Sequence, residues 1–201
     1  MKSTFTNRTY NFLDRNVLKF ISYFMTNFVY MKCLIQDVSI GRKCLFLGNI
    51  KFKVMNGGNI VIGNNCKFSS LETVNNIGIN HKCILSATPV VSEKCNLVIG
   101  DNCGFSGTSI WCFSSIKIGN NVRCGANTLI MDGDAHFEDS RTSLPKPIII
   151  EDNVFLGTNV VVKKGVRIGE NTVIGMNSVV TKNIPANCVA VGNPCKVIRS
   201  L

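Results

Sequence analysis

One stretch of this chain gathers side chains that could move a proton. Residues Met131 to Pro147 read Met-Asp-Gly-Asp-Ala-His-Phe-Glu-Asp-Ser-Arg-Thr-Ser-Leu-Pro-Lys-Pro. His136 stands there among Asp132, Asp134 and Glu138. A neutral imidazole titrates near the working pH of most cells, so it can take a proton and give it back. Any of the three carboxylates could orient the ring, and the sequence does not choose among them. Two prolines, a glycine and clustered acids mark the stretch as a loop. Loops thrown out of rigid scaffolds tend to carry function. The other histidine, His81, falls at the corner of a turn and reads as an exposed polar residue.

The thiols are the next chemistry-bearing group. There are 10 cysteines in 201 residues, and none has C-x-x-C spacing, which argues against a zinc site. Cys44, Cys66, Cys83 and Cys103 each follow an aliphatic by four residues: Ile40, Ile62, Ile79 and Ile99. Elsewhere the same slot holds Val, Thr or Ser. These thiols therefore read as small buried hydrophobes in a reducing cytosol rather than as a disulfide framework.

What must position these groups is a repeat of six. Ile150, Leu156, Val162, Ile168, Ile174 and Val180 follow one another at that interval, and small or β-branched residues follow each by four. Neither the strand period of two nor the helix period of 3.6 sustains such a beat. A hexapeptide rhythm predicts a parallel β-helix, with three hexads to a coil. Aliphatics point inward, while Gly, Asn and Asp take the left-handed angles at the bends. Asn65, Asn102, Asn121, Asn153, Asn171 and Asn177 are expected at equivalent places. The 19-residue step from Ile99 to Ile118 predicts one bulged residue, and the rhythm slips more than once between Ile62 and Ile99.

This divides the chain into an N-terminal helical cap over 1–35 and a β-helix over 36–201, with the loop at 131–147. Val17 to Met31 is apolar but too short for a membrane span, which needs roughly 20 residues. The stretch reads as a helix capping the solenoid, the alternative being a helix on a membrane surface. The charge of +10 suits phosphate-rich or anionic-glycan ligands. No dense Lys/Arg run or nucleic-acid motif is present, so nucleic acid is not an expected partner.

From Ile118 to Leu201 the chain resembles the hexapeptide-repeat acyltransferases, the left-handed β-helix family. That family includes galactoside, maltose and serine acetyltransferases and bacterial polysaccharide O-acetyltransferases. The likeness rests on Asp134-Ala-His136, Val154-Phe-Leu-Gly157, Ile174-Gly-Met-Asn-Ser-Val-Val-Thr-Lys182 and Val191-Gly-Asn-Pro-Cys-Lys-Val-Ile-Arg199. It implies an all-β, left-handed parallel β-helix and direct acetyl transfer from acetyl-CoA to a hydroxyl of a sugar or cell-surface polysaccharide, without a metal. His136 would be the general base with Asp134 beside it, and the Gly157 N–H would face the oxyanion.

The resemblance also implies the cofactor contacts. Gly157 and Thr158 would lie beside the pantetheine arm, and Gly175 and Met176 would offer it backbone groups. Thr181 and Lys182 would stand near the adenosine, with Lys196 and Arg199 near ribose and pyrophosphate. Phe155 and Met176 depart from the Trp and Ala common in relatives. Ser106, Trp111 and Asp132 are expected substrate contacts, Trp111 by stacking on a sugar ring. Homotrimers with grooves between subunits, in the cytoplasm or at the inner face of its membrane, are the further expectation. The alternatives are N-acetylation of an amino-sugar nucleotide, O-acetylation of serine, or a non-catalytic scaffold. A β-helix carbonic anhydrase would need three histidines on one metal, and the chain has two.

Overall fold

The structure is a computed structural model that describes residues 2–90 and 93–201, with side chains described from Val17 onward except Lys19. Met1, the first residue of the expected cap, lies outside the described residues. The chain folds as a left-handed parallel β-helix preceded by one helix.

Three sheets wind around a common interior. The first holds Ser39–Ile40, Gly58–Ile62, Cys95–Ile99, Ser115–Ile118, Ile148–Ile150 and Arg167–Ile168. The second holds Leu45–Leu47, Lys67–Ser69, Gly104–Ser106, Arg123–Cys124, Phe155–Leu156, Val173–Ile174, Cys188–Val191 and Lys196–Ser200. The third holds Lys51–Val54, Ile84–Ala87, Ser109–Cys112, Leu129–Met131, Val161–Val162 and Val179–Val180. Every pairing between them is parallel except the last, where Lys196–Ser200 folds back against Cys188–Val191.

The six-residue beat becomes three interior columns. Ile40, Ile62, Ile99, Ile118, Ile150 and Ile168 pair in register up the first sheet. Phe46, Phe68, Phe105, Cys124, Leu156 and Ile174 form the second column. The three phenylalanines stack, with centroids 5.0 and 4.9 Å apart, which is the spacing of the strands themselves. Each such fully buried side chain stabilises the fold by about 1.5–3 kcal/mol. All ten cysteines are buried and unpaired. Burial pushes the Cys33 thiol up to about 11, and its contact with Cys103 together with burial does the same for Cys66, so neither is a thiolate nucleophile.

The corners show what asparagine does. Asn65, Asn102, Asn121, Asn153, Asn171 and Asn187 sit in the left-handed region at φ 56–59°. Asn121, Asn153, Asn171 and Asn187 pass an amide hydrogen bond of 3.0 Å from coil to coil. Asn177 belongs to a different corner, where it accepts from Asn159. Ile79 also departs from expectation: it packs under Gly107 instead of joining the isoleucine column. Cys83 accordingly feeds the third sheet, its carbonyl accepting from Lys51, whereas Cys44, Cys66 and Cys103 line the second.

The single bulge expected between Ile99 and Ile118 is two changes. Phe105 and Ile110 pair with Cys124 and Ile130, so the corner at Gly107 is one residue short. Ile110 and Ile118 are eight apart, so the next corner, at Phe113–Ser115, is too long by two residues. Gly107 makes the tight bend at φ +50°, and a Cβ there would meet Ile79 Cβ at 2.8 Å.

Residues Lys2–Ile35 contain no Gly or Pro and form the helix, closed by Asp37 at φ 53°. Val29 and Cys33 are buried against the first coil. That coil is an open edge, and helix side chains satisfy part of it. The Tyr30 hydroxyl donates to the Gly41 carbonyl and accepts from the Cys44 N–H. Thr26 accepts from the Phe46 N–H, and Lys32 donates to the Ile50 carbonyl. The opposite side of the helix leaves Phe20, Tyr23, Phe24, Phe28, Met31 and Leu34 exposed.

Candidate active site

The break in rhythm after Ile130 leaves the prism where the third sheet would turn into the first, between Leu129–Met131 and Ile148–Ile150. This corner lies opposite the second sheet. The loop is held at both ends. The Lys146 N–H donates to the Asp132 carbonyl, and the Gly165 N–H, one coil on, donates to the Lys146 carbonyl. Phe137 packs edge-on against Phe113 at 5.0 Å, and Phe113 lies 4.6 Å from Trp111.

His136 projects from this anchored loop. Its side chain is 76% exposed, and Nδ1 lies 3.5 Å from Glu138 Oε1. Of the three acids left open by the sequence, Glu138 is therefore the one beside the ring. Asp134 is turned away: it pairs with Lys164 and, at 3.3 Å, with Lys163. The Lys164 hydrogen bond, then Lys163, holds its carboxyl below the usual carboxylate range. Asp134 thus ties the loop to the next coil and does not orient the imidazole.

Asp132 corrects a second expectation. It is fully buried, and its carboxylate accepts the N–H groups of Phe113 (2.7 Å), Ser114 (2.9 Å) and Ser115 (2.8 Å). These are the residues of the long corner, whose N–H groups would otherwise lack partners. Burial pushes the Asp132 carboxyl up, against the opposing effect of the N–H groups. It is a bracket between two coils, its carboxylate engaged by these three N–H groups. Its role was invisible in sequence because the insertion that creates the three donors lies 17–19 residues upstream.

Gly157, Thr158, Gly175 and Met176 share the corner between the second and third sheets. The Gly157 N–H donates to the Ile174 carbonyl at 2.8 Å, so it is spent in the ladder and not free for an oxyanion. The next N–H along, that of Thr158, has no acceptor among the described residues. The contrast with another corner explains this. There the Asn64, Asp101 and Asn120 N–H groups are met by the Asp101, Asn120 and Asp152 side chains one coil on. Thr158 has Met176 one coil on, whose thioether side chain offers no oxygen. The open donor that sequence reasoning placed on Gly157 is one residue further.

The remaining residues divide among the faces. Thr181 and Lys182 are exposed just after Val179–Val180, at the same corner as the histidine loop. Lys196 and Arg199 are exposed on the terminal strand of the second sheet. Neither these two nor Lys182 has an ion-pair partner among the described residues. Trp111 faces outward on the third sheet, half-buried, with Nε1 donating to Thr88 Oγ1 at 2.6 Å. Ser106 lies on the second face, in a concavity of about 410 Å³ with Lys67, Arg123 and Phe155. Lys67 and Arg123 were not singled out from the sequence, although both occupy the outward position just after the small residue of their hexads. One prism therefore holds Ser106 on one face and His136 at the corner opposite it.

Comparison with known proteins agrees with this geometry. Residues 147–182 match the family described as hexapeptide repeat of succinyl-transferase. Galactoside O-acetyltransferase of Escherichia coli is 44% identical over 91 residues, 43% of this chain and 45% of that protein. Galactoside O-acetyltransferase of Lactococcus lactis is 44% identical over 93 residues, 44% of each chain. The chain thus spans less than half the length of these curated relatives. An N-acyltransferase from Bacillus cereus, crystallised with dTDP-4-amino-4,6-dideoxyglucose and coenzyme A, shares the fold with a TM-score of 0.64 at 18% identity, over 85% of this chain and 88% of that one. A hexapeptide-repeat acetyltransferase from Vibrio cholerae aligns with a TM-score of 0.51 at 22% identity, over 81% and 73%. By fold, repeat and partial sequence likeness together, the chain resembles the hexapeptide-repeat acyltransferases, galactoside O-acetyltransferases among them.

Proposed function

We propose that this chain transfers an acetyl group from acetyl-CoA to a hydroxyl of a sugar or polysaccharide. The carrying observation is the division of labour in the loop. Asp132 and Asp134 are both consumed in anchoring it, and the imidazole that follows them is left exposed beside Glu138. A loop so firmly bracketed presents one free base.

Acetyl-CoA supplies the acyl carbon as a thioester, ready for attack by an oxygen. His136 takes the proton of the acceptor hydroxyl as that oxygen attacks, and returns it to the departing sulfur. Glu138 steadies the imidazolium that forms in between. The Thr158 N–H is the donor for the developing oxyanion. Met176, Thr181 and Lys182 offer exposed surface for the pantetheine arm and adenosine, and Lys196 and Arg199 offer cations without an ion-pair partner among the described residues for phosphate.

The opposition of Ser106 and His136 within one prism supports assembly into trimers, in which the loop of one copy faces the second sheet of another. Light scattering tests this: a monomer with full activity would refute the shared site. The ten unpaired thiols support a reducing compartment. On the N-terminal helix, the exposed ridge from Phe20 to Leu34 is accompanied in sequence by Lys2, Arg8, Arg15 and Lys19 against Asp14 alone. Apolar exposure with that charge supports contact with an anionic membrane surface. No helix among the described residues is long and apolar enough to cross a membrane.

The test is incubation with labelled acetyl-CoA and a panel of sugars, amino-sugar nucleotides and serine. Ester on a sugar is the expected product. An amide on the nucleotide or acetylserine would replace the acceptor class, and no product with any acceptor would favour a scaffold. His136→Ala should cut kcat by about 10²–10⁴-fold with CoA affinity unchanged; a near-normal rate would remove the base.

A further inference from the structure

The concavity on the second sheet has a chemistry of its own. Lys67, Gly104, Arg123 and Phe155 occupy the same outward column in four successive coils. Strands in one sheet are spaced by about 4.8 Å, so Lys67 and Arg123 rise from backbones roughly 10 Å apart with a gap between them. The gap exists because the intervening residue is glycine. A Cβ on Gly104 would meet Arg123 Cδ at 3.1 Å, so the missing side chain also lets Arg123 lie along the sheet, where it donates to the Asn102 carbonyl. No acidic residue lines the concavity, and neither cation has an ion-pair partner among the described residues. Ser69 and Ser106 add hydroxyls, and Phe155, 46% exposed, adds an apolar face at one end.

We propose that this notch binds the acidic group of an anionic sugar, a phosphate or a carboxylate, between Lys67 and Arg123, with Phe155 beside the ring. Two side chains of this length converge on one anion across the glycine gap, and guanidinium and ammonium groups are the usual partners of such oxyanions. Asn65 and Asn102 add amides that could meet sugar hydroxyls, but the lining holds two cations and no acid, so its charge favours an anionic ligand over a neutral one. The coils involved are the second to the fifth, and Lys196 and Arg199 lie at the other end of the same sheet, so the notch is apart from the proposed phosphate contacts of CoA, while its Gly125 edge adjoins Gly157 and Thr158 of the proposed pantetheine contacts. The inference deepens the acyl-transfer reading by making the acceptor acidic, and it rests on that reading only for the word acceptor.

Calorimetric titration of the full chain with glucose 1-phosphate, glucuronic acid and glucose tests it, the two acids separating phosphate from carboxylate. At least one acid should bind ten-fold or more tighter than glucose, and less tightly as salt rises. Lys67→Ala and Arg123→Ala should each weaken that acid about ten-fold with CoA binding unchanged. Arg123→Lys, which keeps the charge and guards against a folding defect, should stay within a few-fold of the parent. Equal binding of all three sugars, no binding of any, or loss of CoA rather than sugar in the alanine variants would overturn the proposal. Binding of acid sugars without acetyl transfer would leave the notch standing and sink the enzymatic reading. Full transfer to neutral sugars by Arg123→Ala would do the reverse.

Discussion

Removing the Asp132 carboxylate should both destabilise the protein and unseat the loop. Three N–H groups, from Phe113, Ser114 and Ser115, converge on it at 2.7–2.9 Å. Asp132→Ala leaves all three without an acceptor. Each unmet buried donor costs about 1 kcal/mol or more, so the loss should be about 3 kcal/mol. With a urea slope of about 2 kcal/mol/M, the unfolding midpoint falls by roughly 1.5 M. Asp132→Asn should lose less, about 1 kcal/mol. Its amide oxygen still accepts, and it escapes the cost of burying a charge, which already pushes the native carboxyl up. The expected order of midpoints, followed by circular dichroism, is parent, Asn, Ala. Acetyl transfer adds a second reading. A displaced loop lowers kcat while CoA affinity is kept. Midpoints within about 0.3 M of the parent, combined with a raised acceptor KM, would be the signature of a carboxylate that touches substrate, and would refute the bracket.

Asp134 makes an opposite pH signature. Its folded-state pKa is lowered by Lys164 and Lys163, so its contribution is present above about pH 4, the unfolded value, and is lost as pH falls through the folded one. Asp134→Asn should remove at most about 1 kcal/mol at neutral pH, since the side chain is 24% exposed, and should flatten the acid limb of a urea-midpoint-versus-pH series; identical limbs would exclude the anchor. Tyr30→Phe removes a hydroxyl that bridges the Gly41 carbonyl and the Cys44 N–H, and should cost about 1–2 kcal/mol in the same assay, with no change expected only if the helix does not seal that end. Vesicles rich in phosphatidylglycerol should sediment the protein, neutral vesicles should not, and Phe20, Phe24 and Phe28 changed together to Ser should abolish it. Equal sedimentation of that variant would exclude the ridge.

The inward columns were legible because the beat of six assigns every aliphatic a direction without reference to its neighbours in space. Ile118, Cys124 and Ile130 fall on three successive sheets simply by counting hexads. The count failed where local changes offset one another. A shortened corner at Gly107 and a lengthened one at Phe113–Ser115 leave a net excess of one, so the sequence shows a single bulge where the chain has two irregularities. Ile79 misled for a related reason. It carries the residue types of a corner turn, yet the insertion around Glu72–Val74 takes it out of the column.

The site was legible by residue type and not by partner. His136 stood out because a histidine in a loop breaking a regular solenoid has no structural reason to be there. The carboxylates around it are chemically alike, and what separates them lies in other coils: the long corner that supplies three donors to Asp132, and the Lys163–Lys164 pair that claims Asp134. Gly157 and Thr158 are likewise separated only by what lies one coil on, a carbonyl for the first and Met176 for the second. The same reasoning bears on assembly. A three-sided solenoid necessarily sets each corner against the face across from it, so a loop leaving between the third and first sheets cannot reach the second face of its own prism. If the acceptor lies at Ser106 and Arg123, the base that serves it comes from another copy. Mixed oligomers then give the sharpest check: inactive His136→Ala and acceptor-deficient Arg123→Ala chains, co-assembled, should recover part of the activity that each lacks alone, because some interfaces pair an intact loop with an intact notch.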